Sequence, residues 1–194
     1  MQTLRKQFTL EKMLDLTVSG HRKESFEKMI AHLKTIDNPL IVETGCSRQL
    51  DNWGGDGMST VIFDKYINEY GGEFNAVDIN PDNVKMAQSL VSDKTTVHCS
   101  DSVGWLWNFN KLGKKIDLLY LDSFDFDQHN PGPSMCHHLF ELTAIRPSLK
   151  KGTMIAVDDN FGHFGKGMLV KHFMEHIGNP IVHTGYQFIW IWNE

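Results

Sequence analysis

Apolar residues recur along this chain in two rhythms. Up to position 38 they fall at three- and four-residue steps, as at Phe26, Met29, Ile30, Leu33 and Ile36, the spacing of one helix face. "IDNP" closes that region. From Leu40 onward short β-rich runs alternate with helical stretches: LIVET, MSTVIFDKYINEY, FNAVD, PDNVKMAQSL, TTVHC, SVGWLWNF, IDLLYL, CHHLFELTAI and TMIAVD. The alternation predicts a parallel sheet with crossover helices. LIVE, IDLLYL and MIAV are nearly continuous apolar runs, as central strands covered on both faces require. A buried helix segment would read similarly, but these runs are short and bounded by Gly, Pro and Asp. After the fifth run come a glycine-rich stretch, NFGHFGKG, a helix around Met168 to Ile177, and the ending NPIVHTGYQFIWIWNE. Its two β-like halves about HTG predict a terminal hairpin with at least one antiparallel strand. The expected fold class is α/β: a three-layer α/β/α sandwich on a seven-stranded, mostly parallel sheet. One domain over 1–194 is expected, with a helical cap at 1–38 and the core at 39–194.

Composition narrows the function classes. A chain of 194 residues suits one domain with a sizeable core, and it has neither a low-complexity tract nor a fixed repeat. The net charge is -5, with basic residues scattered, so no electrostatic footprint exists for a nucleic acid polymer or an anionic membrane. Cys46, Cys99 and Cys136 lie far apart in an odd count, which suits neither a disulfide framework nor a paired zinc site and fits a reducing, cytoplasmic setting. No run approaches the roughly 18 apolar residues of a membrane span, so a soluble, unprocessed protein is expected.

In an open α/β sheet, ligands bind beyond the carboxyl ends of the strands. Those ends read Glu43 to Gly45, Asp78, Ser100 to Asp101, Asp122, and Asp158, Asp159 and Asn160. Any one of these acids can be a helix cap or turn residue, as Asp101 before SVGWL is placed to be. Five acidic edges on one rim repel each other unless a cationic ligand, a metal or hydroxyl donors sit among them. A carboxylate at the end of strand two suits a ribose, and Asn80 before Pro81 is itself a good helix cap that leaves Asp78 free. Gly45 lets the backbone approach a ligand. The following loop, CSRQLDNWGGD, is long and lacks the G-x-G-x-x-G spacing of a dinucleotide turn.

In order, VETGCSR, AVDINPDNVKMA, CSDSVGWL, DLLYLDS and LKKGTMIAVDDN resemble the class I S-adenosylmethionine-dependent methyltransferases, in the branch similar to catechol and caffeoyl-CoA O-methyltransferases. The likeness runs over about 40–160 and implies a Rossmann-like fold. By this resemblance Glu43 and Gly45 line the methionine part of the cofactor, with Gly57 and Ser59 at the next helix start. Asp78, followed by Ile79, holds the ribose hydroxyls, Asp101 and Ser102 flank the adenine, and Asp122 stands beside the methyl group and acceptor. Ser47 stands where the family's second glycine is usual. In the catechol-type relatives a hard divalent cation such as Mg²⁺ is held after strands four and five, which corresponds here to Asp122, Asp159 and Asn160, with Asp158 as rival.

The expected activity is methyl transfer from S-adenosyl-L-methionine to a small-molecule acceptor at oxygen. Proton removal falls to the cation's effect on the acceptor or to a histidine, His129 or His163. Asp122 and His129 are the catalytic candidates. Trp105 and Trp107 either stack on adenine or pack under the sheet, and Trp53 and Phe124 lie in loops where an aromatic can close over a ligand. SFDFDQHNPGPSM reads as a specificity loop or lid, or as an ordinary surface excursion. The N-terminal helices fit a pocket cap or a homodimer interface equally. Two alternatives stand beside this reading: a non-catalytic S-adenosylmethionine or nucleoside-binding module, and a nicotinamide-dependent oxidoreductase.

Overall fold

The computed structural model describes residues 8–16 and 21–194. Helix α1 (Leu10–Leu16) and α2 (Lys23–Leu33) precede β1 (Leu40–Thr44). There follow α3 (Ser59–Tyr70), β2 (Glu73–Asp78), α4 (Pro81–Leu90), β3 (Thr95–Cys99), α5 (Ser102–Phe109), β4 (Leu118–Leu121), α6 (Gly132–Ile145) and β5 (Met154–Val157). The chain ends with α7 (Met168–His176), β6 (Ile181–His183) and β7 (Phe188–Ile191). The seven strands form one sheet in the order β3-β2-β1-β4-β5-β7-β6. All pairs from β3 to β5 are parallel, and β7 runs antiparallel between β5 and β6. The expected fold class is the observed one, a Rossmann-like sandwich with a terminal antiparallel hairpin.

The period of two within each strand separates two cores. Ile41, Leu118, Tyr120, Met154, Ala156 and Ile189 face one way and pack with α1 to α4, while Val42, Leu119, Leu121, Ile155, Val157 and Trp190 face the other and pack with α5, α6 and α7. Both faces of β1, β4 and β5 are buried, so these strands read as continuous apolar runs. Helix α2 belongs to the first layer. Its Phe26, fully buried, stacks on Tyr120 at 5.9 Å and packs against Phe63 at 5.9 Å. The packing fixes the N-terminus of α2, and with it Arg22, above the carboxyl ends of β4 and β5.

Helix α6 begins at Gly132, earlier than the apolar CHHLFELTAI run suggests. PGP reads as a turn, but a proline in the first helical turn costs no hydrogen bond and presets the backbone. The strand order reverses between β1 and β4, each of which continues away from the other through its own crossover, and the two diverging connections leave a cleft there.

Candidate functional site

A cleft of about 210 Å³ opens beyond the ends of β1, β2, β4 and β5. Gly45, Ser59, Asp78, Ile79, Asp122 and Asp159 line it, together with Arg22, Arg48 and Lys166. Five aspartates face it against three cationic side chains, so the cleft favours a cationic group.

The loop after β1 is shaped by two anchors. Gly45 has φ +79°, and a Cβ there would lie 2.5 Å from the Asp122 carbonyl oxygen, so only glycine lets the ends of β1 and β4 approach this closely. Asp56 is the second anchor: its Oδ2 accepts the backbone N–H groups of Arg48 and Gln49 at 2.9 and 3.1 Å. The Arg48 guanidinium then spans Asp56 and Asp125, at 3.2 and 3.1 Å, and ties this loop to the one after β4. Ser47, in place of a second glycine, donates its backbone N–H to Thr60 Oγ1 at 2.8 Å, and that hydroxyl donates to Glu43 Oε2 at 2.7 Å. Glu43 Oε1 and Ser47 Oγ are buried with no partner among the described residues. Glu43 is fully buried; burial first, and then the charges on Asp78 and Asp158, push its pKa up to about 8.

Asp78 closes β2. Its Oδ1 accepts from the Asn80 backbone at 2.8 Å, and Asn83 Nδ2 reaches both carboxylate oxygens at 3.3 Å. Asn80 accepts from Asp82 N at 2.9 Å and caps α4, which leaves the Asp78 carboxylate turned to the cleft.

On the far side lie three carboxylates and two buried cations. Arg22 Nη2 meets Asp158 Oδ2 at 3.1 Å, and its guanidinium lies over the Tyr186 ring at 4.4 Å. Lys166 Nζ, 1% exposed, meets Asp122 Oδ1 at 2.5 Å and Asp159 Oδ2 at 2.9 Å. Tyr186 donates its hydroxyl to Asp159 Oδ1 at 2.5 Å. Burial alone would lower the Lys166 ammonium, but the facing Asp122 and Asp159 hold it above the ordinary lysine range. Burial raises Asp122 well above the usual carboxylate range, with Lys166 opposing and Asp158 and Asp159 adding to the rise. Asp159 ends below that range, because Lys166, Tyr186 and Arg22 outweigh its burial.

The divalent cation implied by resemblance does not fit these residues. The space between Asp122 and Asp159 is held by the Lys166 ammonium. Asn160 spends its amide on the backbone: Nδ2 donates to the carbonyls of Val157 and Asp158 at 2.8 and 3.1 Å, and Oδ1 accepts from Gly167 N at 2.8 Å. Asp158, the rival ligand, is paired with Arg22. Among the described residues no group of three or more His, Cys, Asp or Glu side chains is placed to hold a metal ion.

Other expected residues stand apart from the cleft. Asp101 is exposed and caps α5 by accepting from Gly104 N at 2.7 Å. Ser102 is buried and pairs with His137 Nε2 at 2.9 Å. Gly57 lies under the Arg22 side chain, whose Cδ and Nε would be 3.0 Å from a Cβ at that position. His129 and His163 are exposed and outside the lining of the cleft. Trp105 packs on His98 at 4.8 Å and Phe109 at 5.2 Å, while Trp107 is 63% exposed. Trp53 packs at the edge of the core, and half-exposed Phe124 contacts His137 at 5.4 Å. Phe126, in the loop after β4, meets Phe161 and Phe164, in the loop after β5, at 5.8 and 6.1 Å.

Sequence reading missed Arg22, Arg48, Lys166 and Tyr186. For Lys166 a signal existed: it is the sole lysine or arginine in DNFGHFGKG, at the most acidic strand end.

No protein-family model and no curated protein matches the chain. Solved structures do. CalS11, a calicheamicin methyltransferase, superposes with a TM-score of 0.64 at 13% identity over 95% of this chain and 80% of its own. The O-methyltransferase NovP gives a TM-score of 0.58 at 12% identity, over 95% of this chain and 79% of that one. The mycinamycin-pathway methyltransferase MycE, solved in complex with Mg, SAH and mycinamycin VI, gives 0.62 at 12% identity over 89% of this chain, which spans only 49% of MycE. At such identities the likeness is one of fold, and the fold is that shared by these methyltransferases.

Proposed function

We propose that the protein is an S-adenosylmethionine-dependent methyltransferase that modifies a small-molecule acceptor at oxygen. One observation carries the reading: Gly45, Asp78 and Asp122, the ends of β1, β2 and β4, meet in one acidic cleft at the point where strand order reverses. The shared fold of CalS11, NovP and MycE supports it. When bound, S-adenosylmethionine supplies a methyl carbon whose bond to sulfur breaks, the electron pair going to sulfur, as the acceptor oxygen bonds to the carbon. Asp78 accepts hydrogen bonds from the ribose hydroxyls, and Ile79, 71% exposed, offers an apolar surface beside them. Ser59 lines the same cleft. The Gly45 turn, set by the N–H it donates to the Val77 carbonyl at 2.8 Å and by its close approach to Asp122, would present its backbone to the methionine part. Asp122 keeps Oδ1 on Lys166 and takes the acceptor's proton at Oδ2. Positioning supplies much of the acceleration, because the leaving group comes with the methyl donor. The metal route has no part in this reading, since its ligand set is otherwise engaged.

Calorimetry with S-adenosylmethionine, its demethylated product and a nicotinamide cofactor tests the proposal. Both adenosyl ligands are expected to bind and the nicotinamide is not. Asp78→Ala is expected to weaken binding by about 2 kcal/mol, the cost of losing hydrogen bonds to a carboxylate. Absence of adenosyl-ligand binding, or an Asp78→Ala affinity equal to wild type, sinks it.

A further inference from the structure

The loop between β5 and α7 is built to deliver one side chain. Asp159 turns the chain with φ +54°, a left-handed conformation for a residue with a side chain. Lys166 N then donates back to the Asp159 carbonyl at 3.1 Å, and Asn160 and Gly165 form an antiparallel bridge. Gly165 has φ +143°, and a Cβ there would meet the Asp159 carbonyl oxygen at 2.5 Å, so the return pass needs glycine. The Asn160 amide clamps the loop from inside through Val157, Asp158 and Gly167. This construction drives a lysine ammonium inward between two carboxylates, against the strong preference of lysine for water.

An ammonium has three N–H donors. Among the described residues Lys166 Nζ has two acceptors, Asp122 Oδ1 and Asp159 Oδ2. Lys166 also lines the cleft. We propose that Lys166 is the resident cation of the acceptor site: its ammonium replaces a divalent metal between Asp122 and Asp159, and its third N–H is given to the acceptor oxygen. The acceptor part of this inference rests on the methyltransferase reading; the exclusion of a metal from the acidic pair does not. A metal ion at this place would stand a few ångströms from a fixed positive charge and would find Asn160 already committed to the backbone. Lys166 donates to the acceptor oxygen while Asp122 takes the acceptor's proton, so the hydroxyl meets an acid-base pair made wholly of protein groups. Tyr186, through its hydroxyl on Asp159 Oδ1, holds the second carboxylate in place. The alternative in which Lys166 only neutralises two acids predicts the same Mn²⁺ results and is separated by the acceptor KM of Lys166→Ala.

The test uses Mn²⁺, whose free-ion paramagnetic resonance signal falls when the ion binds, and S-adenosylmethionine calorimetry on the same preparations. Wild-type protein is expected to leave the Mn²⁺ signal unchanged. Lys166→Ala is expected to tighten Mn²⁺ binding by about tenfold or more through Asp122 and Asp159, and Lys166→Arg is expected not to. Mn²⁺ binding by wild type that Asp159→Asn abolishes overturns the proposal, and this result needs no Lys166 variant to fold. A folded Lys166→Ala that binds no Mn²⁺ overturns it too. Adenosyl-ligand binding reports the methyltransferase reading separately. Once an acceptor is known, wild-type turnover in chelator is expected to stay within about twofold, and Lys166→Ala to raise the acceptor KM, which charge neutralisation alone would not do.

Discussion

Replacing Glu43 by glutamine should change how stability depends on pH rather than stability itself. Glu43 is fully buried, Thr60 donates to its Oε2 at 2.7 Å, and its pKa is pushed from an ordinary 4.5 up to about 8. In the unfolded chain it releases its proton near the ordinary value; in the folded chain it holds the proton until about pH 8. Between those values the folded state binds more protons, so stability contributed by Glu43 is fully present below the unfolded pKa and is lost as pH rises toward the folded pKa. The loss is up to ~1.4 kcal/mol per pH unit, or about 3 kcal/mol between about pH 5 and pH 7.5. Glu43→Gln mimics the protonated acid in size and hydrogen bonding and cannot ionise. The assay is urea denaturation followed by tryptophan fluorescence at several pH values within that window, for both proteins. Buried His138, pushed down to about 4 by burial, makes stability rise with pH over part of the range, but equally in both proteins, so it cancels in the difference. The difference in unfolding free energy, glutamine minus glutamate, is expected to grow with pH. Parallel curves would show that the folded protein carries Glu43 ionised and would refute the reasoning.

Two further substitutions test the frame of the cleft. Gly45→Ala places a Cβ 2.5 Å from the Asp122 carbonyl oxygen at φ +79° and is expected to cost about 2 kcal/mol or more and to abolish adenosyl-ligand binding; thermal denaturation and calorimetry check it. Arg22→Met strands the fully buried Asp158 without its cation, which should cost ~3–5 kcal/mol and lower Tm by roughly 10 °C, with Arg22→Lys only partly restoring it because the fork geometry and the stacking on Tyr186 are lost. A Tm unchanged by Arg22→Met would show that the Arg22–Asp158 pair contributes nothing to stability.

The strands were legible because their signal is local. Each buried strand alternates its side chains between two apolar layers, so LIVE, LLYL and MIAV announce themselves without knowledge of their neighbours. Five cleft residues, Gly45, Asp78, Ile79, Asp122 and Asp159, follow from the rule that strand ends gather at one rim. Asp101 also lies at a strand end, yet it caps a helix, and the local signal was there: no other cap stands between Asp101 and α5, whereas Asn80 before Pro81 caps α4 and frees Asp78. Arg22 was not legible for a different reason. Arg22 and Asp158 are 136 positions apart and meet because Phe26 and its neighbours pack α2 on the sheet, a tertiary fact that no spacing encodes.

Charge balance joins what could be read to what could not. A rim of five acidic strand ends demands positive charge, and resemblance supplies one answer in the form of a divalent ion. The chain supplies another, with Arg22 on Asp158 and Lys166 on Asp122 and Asp159. The two answers make different demands on the loop after β5. Metal binding needs Asp159 and Asn160 turned outward as oxygen donors, whereas an inward lysine needs Asn160 to clamp the backbone and glycine at the return pass. The observed hydrogen bonds of Asn160 and the close approach of Gly165 to Asp159 meet the second demand and leave the first unmet. Arg22 and Lys166 pair with the acids that follow β4 and β5, whereas Asp78 is held by Asn80 N and Asn83 and lines the side of the cleft left to a sulfonium-bearing ligand.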